Sequence, residues 1–161
     1  MRLLSRLGHL AGRFFEVLGS RPLGPREQRE AAALLRTAEH PIFWRQPAVD
    51  QRHGLECARA VLRLTPGRRD LARAALLHDV GKRHAGIGVI RRSLASGLEL
   101  VRLPAPGRLG LYLTHGELGA RELAEAGAEE LVVEFARSHH QERPASIPAE
   151  AWQTLRSVNG E

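Results

Sequence analysis

Histidine and aspartate stand side by side at positions 78 and 79, directly after Ala74-Ala75-Leu76-Leu77 and before Val80-Gly81-Lys82. An imidazole and a carboxylate at the end of an apolar helical run are costly to bury unless something pairs with them. One divalent ion would satisfy both. Further imidazoles occur upstream at His53 and downstream at His115, His139 and His140. Borderline and harder ions such as Mn, Fe, Co, Ni or Zn accept mixed nitrogen and oxygen ligands. Two of them can activate a water and clamp a phosphoryl group. Two adjacent helical residues diverge by about 100°. His78 and Asp79 can therefore reach one centre only where the helix ends or where the ion sits beside its axis. Such a pair suits a dinuclear site in which histidine serves one ion and the carboxylate bridges both.

Lys82 is the single lysine among 24 basic residues. It is a candidate phosphate contact or transition-state charge stabiliser. The plainer reading is a solvated base that complements a helix C-terminus. Asp79 and Lys82 are the candidate catalytic residues. No Walker loop or dinucleotide fingerprint is present, and no serine or cysteine nucleophile is indicated.

The elements that must position these groups read as helices throughout, with Pro/Gly punctuation between them. Residues 1–18 form a strongly amphipathic pattern. Leu3, Leu4, Leu7, Leu10, Ala11, Phe14, Phe15 and Leu18 share one arc, and Arg2, Arg6, His9 and Arg13 the other. Such a helix caps a core, docks on a partner or lies on an anionic membrane. Its apolar residues are too interrupted for a signal sequence or a spanning segment. Helices are then expected over 25–37, 48–64, 70–81, 89–100, 109–126 with a break near His115-Gly116 and an end at Gly127, 128–139, and 150–158. Residues 40–47 read as a connector with a short turn at Ile42-Phe43-Trp44.

In the 48–64 helix, Arg52, Glu56, Arg59 and Arg63 line a wet arc. His53 shares the inward side with Cys57, Ala60 and Leu64. His139 follows Leu131 and Phe135 at four-residue spacing, and His140 follows Val132 and Ala136, so at least one ring should face inward. Gly116, Gly119 and Ala120 leave room for a close neighbour beside His115. His9, His40 and His84 read as surface residues. There is no alternating strand pattern, no repeat and no low-complexity tract. The fold expected is an all-α irregular helical bundle around a metal site.

Composition sets wider bounds. At 161 residues the chain is one domain's length. With aromatics at 4%, Leu, Ala and Val must build the core. The net charge of +6 favours anionic partners. Because the arginines are scattered and aromatics few, no dedicated nucleic-acid surface is expected. A lone cysteine, Cys57, excludes an internal disulfide and reads as a small buried thiol. A reducing, cytoplasmic setting is the natural expectation.

The ordered set His53, His78-Asp79 with Val80-Gly81-Lys82, His115 and His139-His140 resembles the ligand series of the HD-domain superfamily of metal-dependent phosphohydrolases. Ala75-Leu76-Leu77-His78-Asp79-Val80-Gly81-Lys82 is similar to its signature. His115-Gly116-Glu117-Leu118-Gly119-Ala120 resembles the third-histidine segment of its two-metal members. The likeness spans roughly residues 48–159, with residues 1–47 an N-terminal extension and 48–161 the HD-type domain.

The resemblance implies hydrolysis of a phosphoester of a small molecule, a nucleotide above all, with two divalent ions as cofactors. It implies that His53, His78 and Asp79 hold the first ion. Asp79 then bridges to a second held by His115 with His139, His140 or both, and Lys82 contacts phosphate. The family closes its first site with an aspartate after a Leu-x-x-Ala motif. Leu155-Arg156-Ser157-Val158-Asn159 stands there instead, so Asn159 brings an amide oxygen without charge and the site should bind more weakly. Gln141-Glu142-Arg143-Pro144 replaces the Gly-Tyr-Pro of the cyclic-di-GMP phosphodiesterase branch. Val49 replaces the glutamate of three-metal members. A weakened signalling or scaffold module and, further off, a di-iron oxygenase are the alternatives.

Overall fold

The computed structural model describes residues 21–85 and 114–159. The readings for residues 1–18, 89–100 and 109–113 lie outside them. Among the described residues the chain is helical with no strand: α1 (Pro25–Leu34), α2 (His40–Trp44), α3 (Ala48–Leu64), α4 (Arg69–Leu77), α5 (His115–Glu125), α6 (Glu130–Ser138) and α7 (Ala149–Val158). No described helix is long and apolar enough to cross a membrane.

α4 is the central element, packed by α3, α6, α7 and α1. Leu71, Ala72, Ala74, Ala75, Leu76 and Leu77 are all buried, as befits a helix apolar on nearly every side. α3 turns Gly54, Cys57, Ala58 and Val61 inward, the i, i+3, i+4, i+7 spacing of a helix with one buried face. Gly54 lets the two helices touch, since a Cβ there would lie 2.5 Å from the Leu76 carbonyl oxygen. α5 ends as expected at Gly127. Its φ of +70° lets its N–H donate to the Ala124 carbonyl (3.0 Å), while the Ala128 N–H donates to that of Leu123 (2.9 Å). This is a glycine-closed helix end with its last carbonyls satisfied.

Three expectations are corrected. The 25–37 helix stops at Leu34. Arg36 is extended (ψ 160°) and opens a 3-10 turn, Thr37–Glu39, with the Arg36 N–H donating to Glu39 Oε2 at 2.8 Å. Glu39 is only 1% exposed and lies 3.7 Å from the Arg73 guanidinium of α4, which also pairs with Glu129 before α6. The entry to the expected 40–47 connector is therefore pinned, and the short turn expected within it is a true helix, α2, with Ile42 and Phe43 in the core. The 70–81 helix ends at Leu77, with His78 as its C-terminal cap. Beyond it the chain tightens into a 3-10 turn, Val80–Ala85; Lys82 N–H to Asp79 carbonyl, 3.0 Å, shows the shorter bonding.

The wet arc of α3 is half covered. Arg52 donates to both oxygens of Glu27 (3.0 and 3.1 Å), and Arg59 to Glu30 (2.6 and 2.9 Å), so α1 is clamped on α3 by ions. Hydrogen bonds from Arg52, then from the Gly24 N–H, pull the Glu27 carboxyl from its ordinary 4.5 to about 2. A carboxylate with a lower pKa folded than unfolded stabilises above the unfolded value, and that stability is lost as pH falls through the folded one. Glu27→Gln should cost roughly 1 kcal/mol at neutral pH for this solvent-screened pair. Urea denaturation at a series of pH values should show the gap closing between 4.5 and about 2.

Candidate metal centre

The end of α4 delivers both His78 and Asp79 to one point because the helix stops between Leu77 and the turn that follows. His78 and Asp79 are 1% and 2% exposed. The His78 Nδ1–H donates to the Ala75 carbonyl at 2.8 Å. A carbonyl can only accept, so the proton is on Nδ1 and the Nε2 lone pair faces inward. His139, capping α6, repeats the device with Ala136 at 2.9 Å. This is how ligating histidines are oriented and their tautomer chosen.

The carboxylate of Asp79 lies between two groups. Its Oδ2 is 3.3 Å from His78 Nε2, 4.0 Å from His53 Nε2 and 2.5 Å from Lys82 Nζ. Its Oδ1 is 3.5 Å from both His115 Nε2 and His139 Nε2. The expected convergence of four distant segments is present. Ring centroids are 5.4 Å apart for His53 and His78, 5.0 Å for His78 and His139, and 5.2 Å for His115 and His139. His140, the exposed member, lies 5.3 Å from the His115 ring. Asn159, the last described residue, puts Oδ1 3.4 Å from His53 Nε2. His53, His78 and Asp79 form one group able to hold an ion, and His115, His139 and His140 a second.

Burial works against ionisation of Asp79. Attraction to the His78 and Lys82 side chains, with the polar contacts of His115 and His139, outweighs it and keeps the carboxyl well below the usual range. Partial burial of its ring, then the neighbouring imidazoles of His139 and His115, push His140 down to about 3. At neutral pH it is therefore an imidazole with a lone pair to give.

Two observations test whether a metal suits these residues. Among the described residues, His78 Nε2 and Asp79 Oδ1 are buried and have no hydrogen-bond partner, a costly state for either atom. His115 Nε2 and His139 Nε2 face each other at 3.3 Å. That is within the separation, about 2.9–3.4 Å, of two nitrogens bonded to one ion at about 2.0–2.1 Å. The donor set fits a divalent metal.

Close helix packing keeps this geometry. A Cβ on Gly116 would sit 2.7 Å from the Arg137 carbonyl oxygen, the close approach that the glycines beside His115 foretell. Phe135 supports the floor, 6.1 Å from His78 and 6.0 Å from His139 by ring centroid. Trp152 of α7 packs on Phe135 at 5.8 Å, and Arg156 lies over Trp152 at 5.6 Å. Arg156 also donates to the carbonyls of His139 (3.1 Å) and Gln141 (3.2 Å). It thus ties the helix carrying Asn159 to the segment carrying His139 and His140. Sequence reasoning passed over this arginine because its role depends on packing between α6 and α7. Cys57 is buried as expected, with Sγ 3.7 Å from His53 Nε2. His84 is half exposed and pairs with Glu122 at 3.2 Å.

Fold and site together define an all-helical domain with His/Asp groups able to hold a divalent metal. The sequence profile of the HD domain matches residues 51–157, well over half of the chain, which belongs to the HD domain family. Membership places it in a superfamily of metal-dependent hydrolases. No curated protein and no solved structure matches the chain.

Proposed function

We propose that this protein is a metal-dependent phosphohydrolase that cleaves a phosphoester of a small molecule, a nucleotide being the first candidate. The observation that carries the reading is the division of the Asp79 carboxylate between two imidazole groups. His53, His78, Asn159 and Asp79 Oδ2 would hold one ion; His115, His139, His140 and Asp79 Oδ1 would hold the other. Mn, Fe, Co, Ni and Zn all suit such donors. Bound there, the ions would supply a polarised water and positive charge for a phosphoryl group.

The chain's own residues do the rest. His78 and His139 form the buried floor and keep their protons on Nδ1, away from the reacting face. His53, 30% exposed along its side chain, and His140 mark the open side where substrate enters. Lys82, 12% exposed, holds an ammonium at the edge of the Asp79 carboxylate, where it can meet a phosphate oxygen and offset its charge. Residues 48–161 would be the catalytic domain and 1–47 an extension, although α1 and α2 share its core. The amphipathic 1–18 segment would be a contact for membrane or partner. No dedicated nucleic-acid surface is proposed. A cytoplasmic site of action completes the proposal.

The test is hydrolysis of an aryl phosphate and a panel of nucleotides with each of the five metals. No turnover by protein shown to hold metal would overturn it. Asn159 beside His53 favours one second reading, a scaffold or signalling module with an impaired site, and such inactivity would support that. A mixed-valent iron signal after anaerobic purification would point instead to di-iron oxygen chemistry.

A further inference from the structure

We propose that the two groups fill unequally, and that the first ion goes to His115, His139 and His140 with Asp79 Oδ1. The group built on the adjacent His78 and Asp79 is then the weak one. The inference rests on reading both groups as metal sites, and three observations carry it.

The two oxygens of Asp79 differ. Oδ2 already has an ammonium at 2.5 Å from Lys82, so a cation arriving on that side meets an established positive charge. Oδ1 is buried with no hydrogen bond among the described residues, facing only His115 and His139 Nε2 at 3.5 Å, so an ion there meets no established ammonium and satisfies an oxygen that burial has stripped of water.

The donor sets differ as well. One side offers three imidazoles, the ligand type that suits Zn, Ni, Fe and Co. The other offers two imidazoles and, at Asn159, an amide oxygen with no charge. Ligand charge count is a main determinant of ion affinity where oxygens bind.

Preorganisation points the same way. On the three-histidine side His140 is exposed, as His53 partly is on the other, but its two remaining ligands are buried, His139 at 1% and His115 at 4%. Their Nε2 atoms already stand 3.3 Å apart. On the other side His53 is 30% exposed along its side chain. Its Nε2 lies 4.0 Å from Asp79 Oδ2, and Asn159 Oδ1 and Cys57 Sγ crowd that nitrogen at 3.4 and 3.7 Å. A ligand that must leave such contacts and be fixed on binding gives up affinity. At limiting metal the protein should therefore hold one ion per chain.

Crystals of the wild-type chain grown with less than one equivalent of zinc provide the direct test. Anomalous scattering should place the ion among His115, His139 and His140. A peak between His53 and His78, or two equal peaks, would overturn the proposal. In solution, elemental analysis after dialysis against weakly buffered zinc should give one ion per chain in the wild type and in His78→Ala, and none in His139→Ala. The reverse pattern would overturn it. Asn159→Asp should raise retention to two ions and tighten the second by about tenfold or more; an unchanged second affinity would count against the account of Asn159. Metal bound as stated without hydrolysis of any phosphoester would overturn the phosphohydrolase proposal and leave this one standing. A chain that binds no metal would overturn both.

Discussion

Asp79→Asn is expected to abolish phosphoester hydrolysis, lowering kcat/KM by roughly three to four orders of magnitude, the scale on which a single essential site carboxylate acts. The substitution keeps the shape of the side chain. It replaces two equivalent acceptor oxygens by one oxygen and one NH2, which donates and cannot ligate. Because Oδ1 faces His115 and His139 while Oδ2 faces His78 and His53, one of the two groups must lose its shared ligand whichever way the amide turns. The bridge is lost in either orientation. Metal retention after dialysis should fall in parallel with turnover. Stability should fall too, by about 3 kcal/mol, because the Lys82 ammonium loses a buried carboxylate partner. Adding Lys82→Met should restore part of that stability without restoring metal binding. If Asp79→Asn retained full activity, the carboxylate would not be the element shared by the two groups.

The expected fate of Asp79 was readable in the sequence for a local reason. A charged pair directly after Ala74-Ala75-Leu76-Leu77 has to be used or paired, and α4 is in fact buried on almost all sides. α3 was equally plain, because one helical face collects Gly54, Cys57, Ala58 and Val61. Gly127 announced the end of α5 by its chemistry alone. The failures share a different physics. Thr37 closes the expected 25–37 helix and Ala38-Glu39 leads into the 40–47 connector, and nothing local says that Glu39 will be buried against Arg73, which lies far along the chain. The stopping point of α4 is set by how tightly the following turn must press on α5. The 23 arginines looked like one class of solvated residue. Tertiary packing divides them into clamps such as Arg52 and Arg59, a buried partner such as Arg73, and Arg156, which braces the segment behind His139. Periodicity and local chemistry reveal which side chains must turn inward, whereas long-range ion pairs and backbone contacts decide where each element ends.

The backbone contact with the greatest consequence among the described residues is at Gly81, and Gly81→Ala is expected to be the most damaging single methyl added at any described glycine. Gly81 sits in the 3-10 turn Val80–Ala85, two residues after Asp79 and one before Lys82. A Cβ built there overlaps the His115 carbonyl oxygen and lies 2.7 Å from the Gly119 nitrogen. Both neighbours are backbone of α5, so no side chain can swing away to make room. The turn and α5 must separate instead, and they carry Asp79 on one side and His115 on the other. Overpacking of this kind commonly costs 1–3 kcal/mol where side chains can adjust. With backbone on both sides, about 4 kcal/mol or more is expected, in the range reserved for severe core damage. For a chain of this size that corresponds to a fall of roughly 8–16 °C in Tm. Gly67→Ala is the control. Its φ of +89° imposes a strain of about 1–2 kcal/mol, but a Cβ there meets nothing within 4 Å, so both stability and metal retention should change far less. Thermal melts of the two variants, with metal retention measured well below the melting range, separate the effects. A Gly81→Ala protein as stable as the wild type, still holding metal at His115, would mean that the turn and α5 do not meet as closely as described.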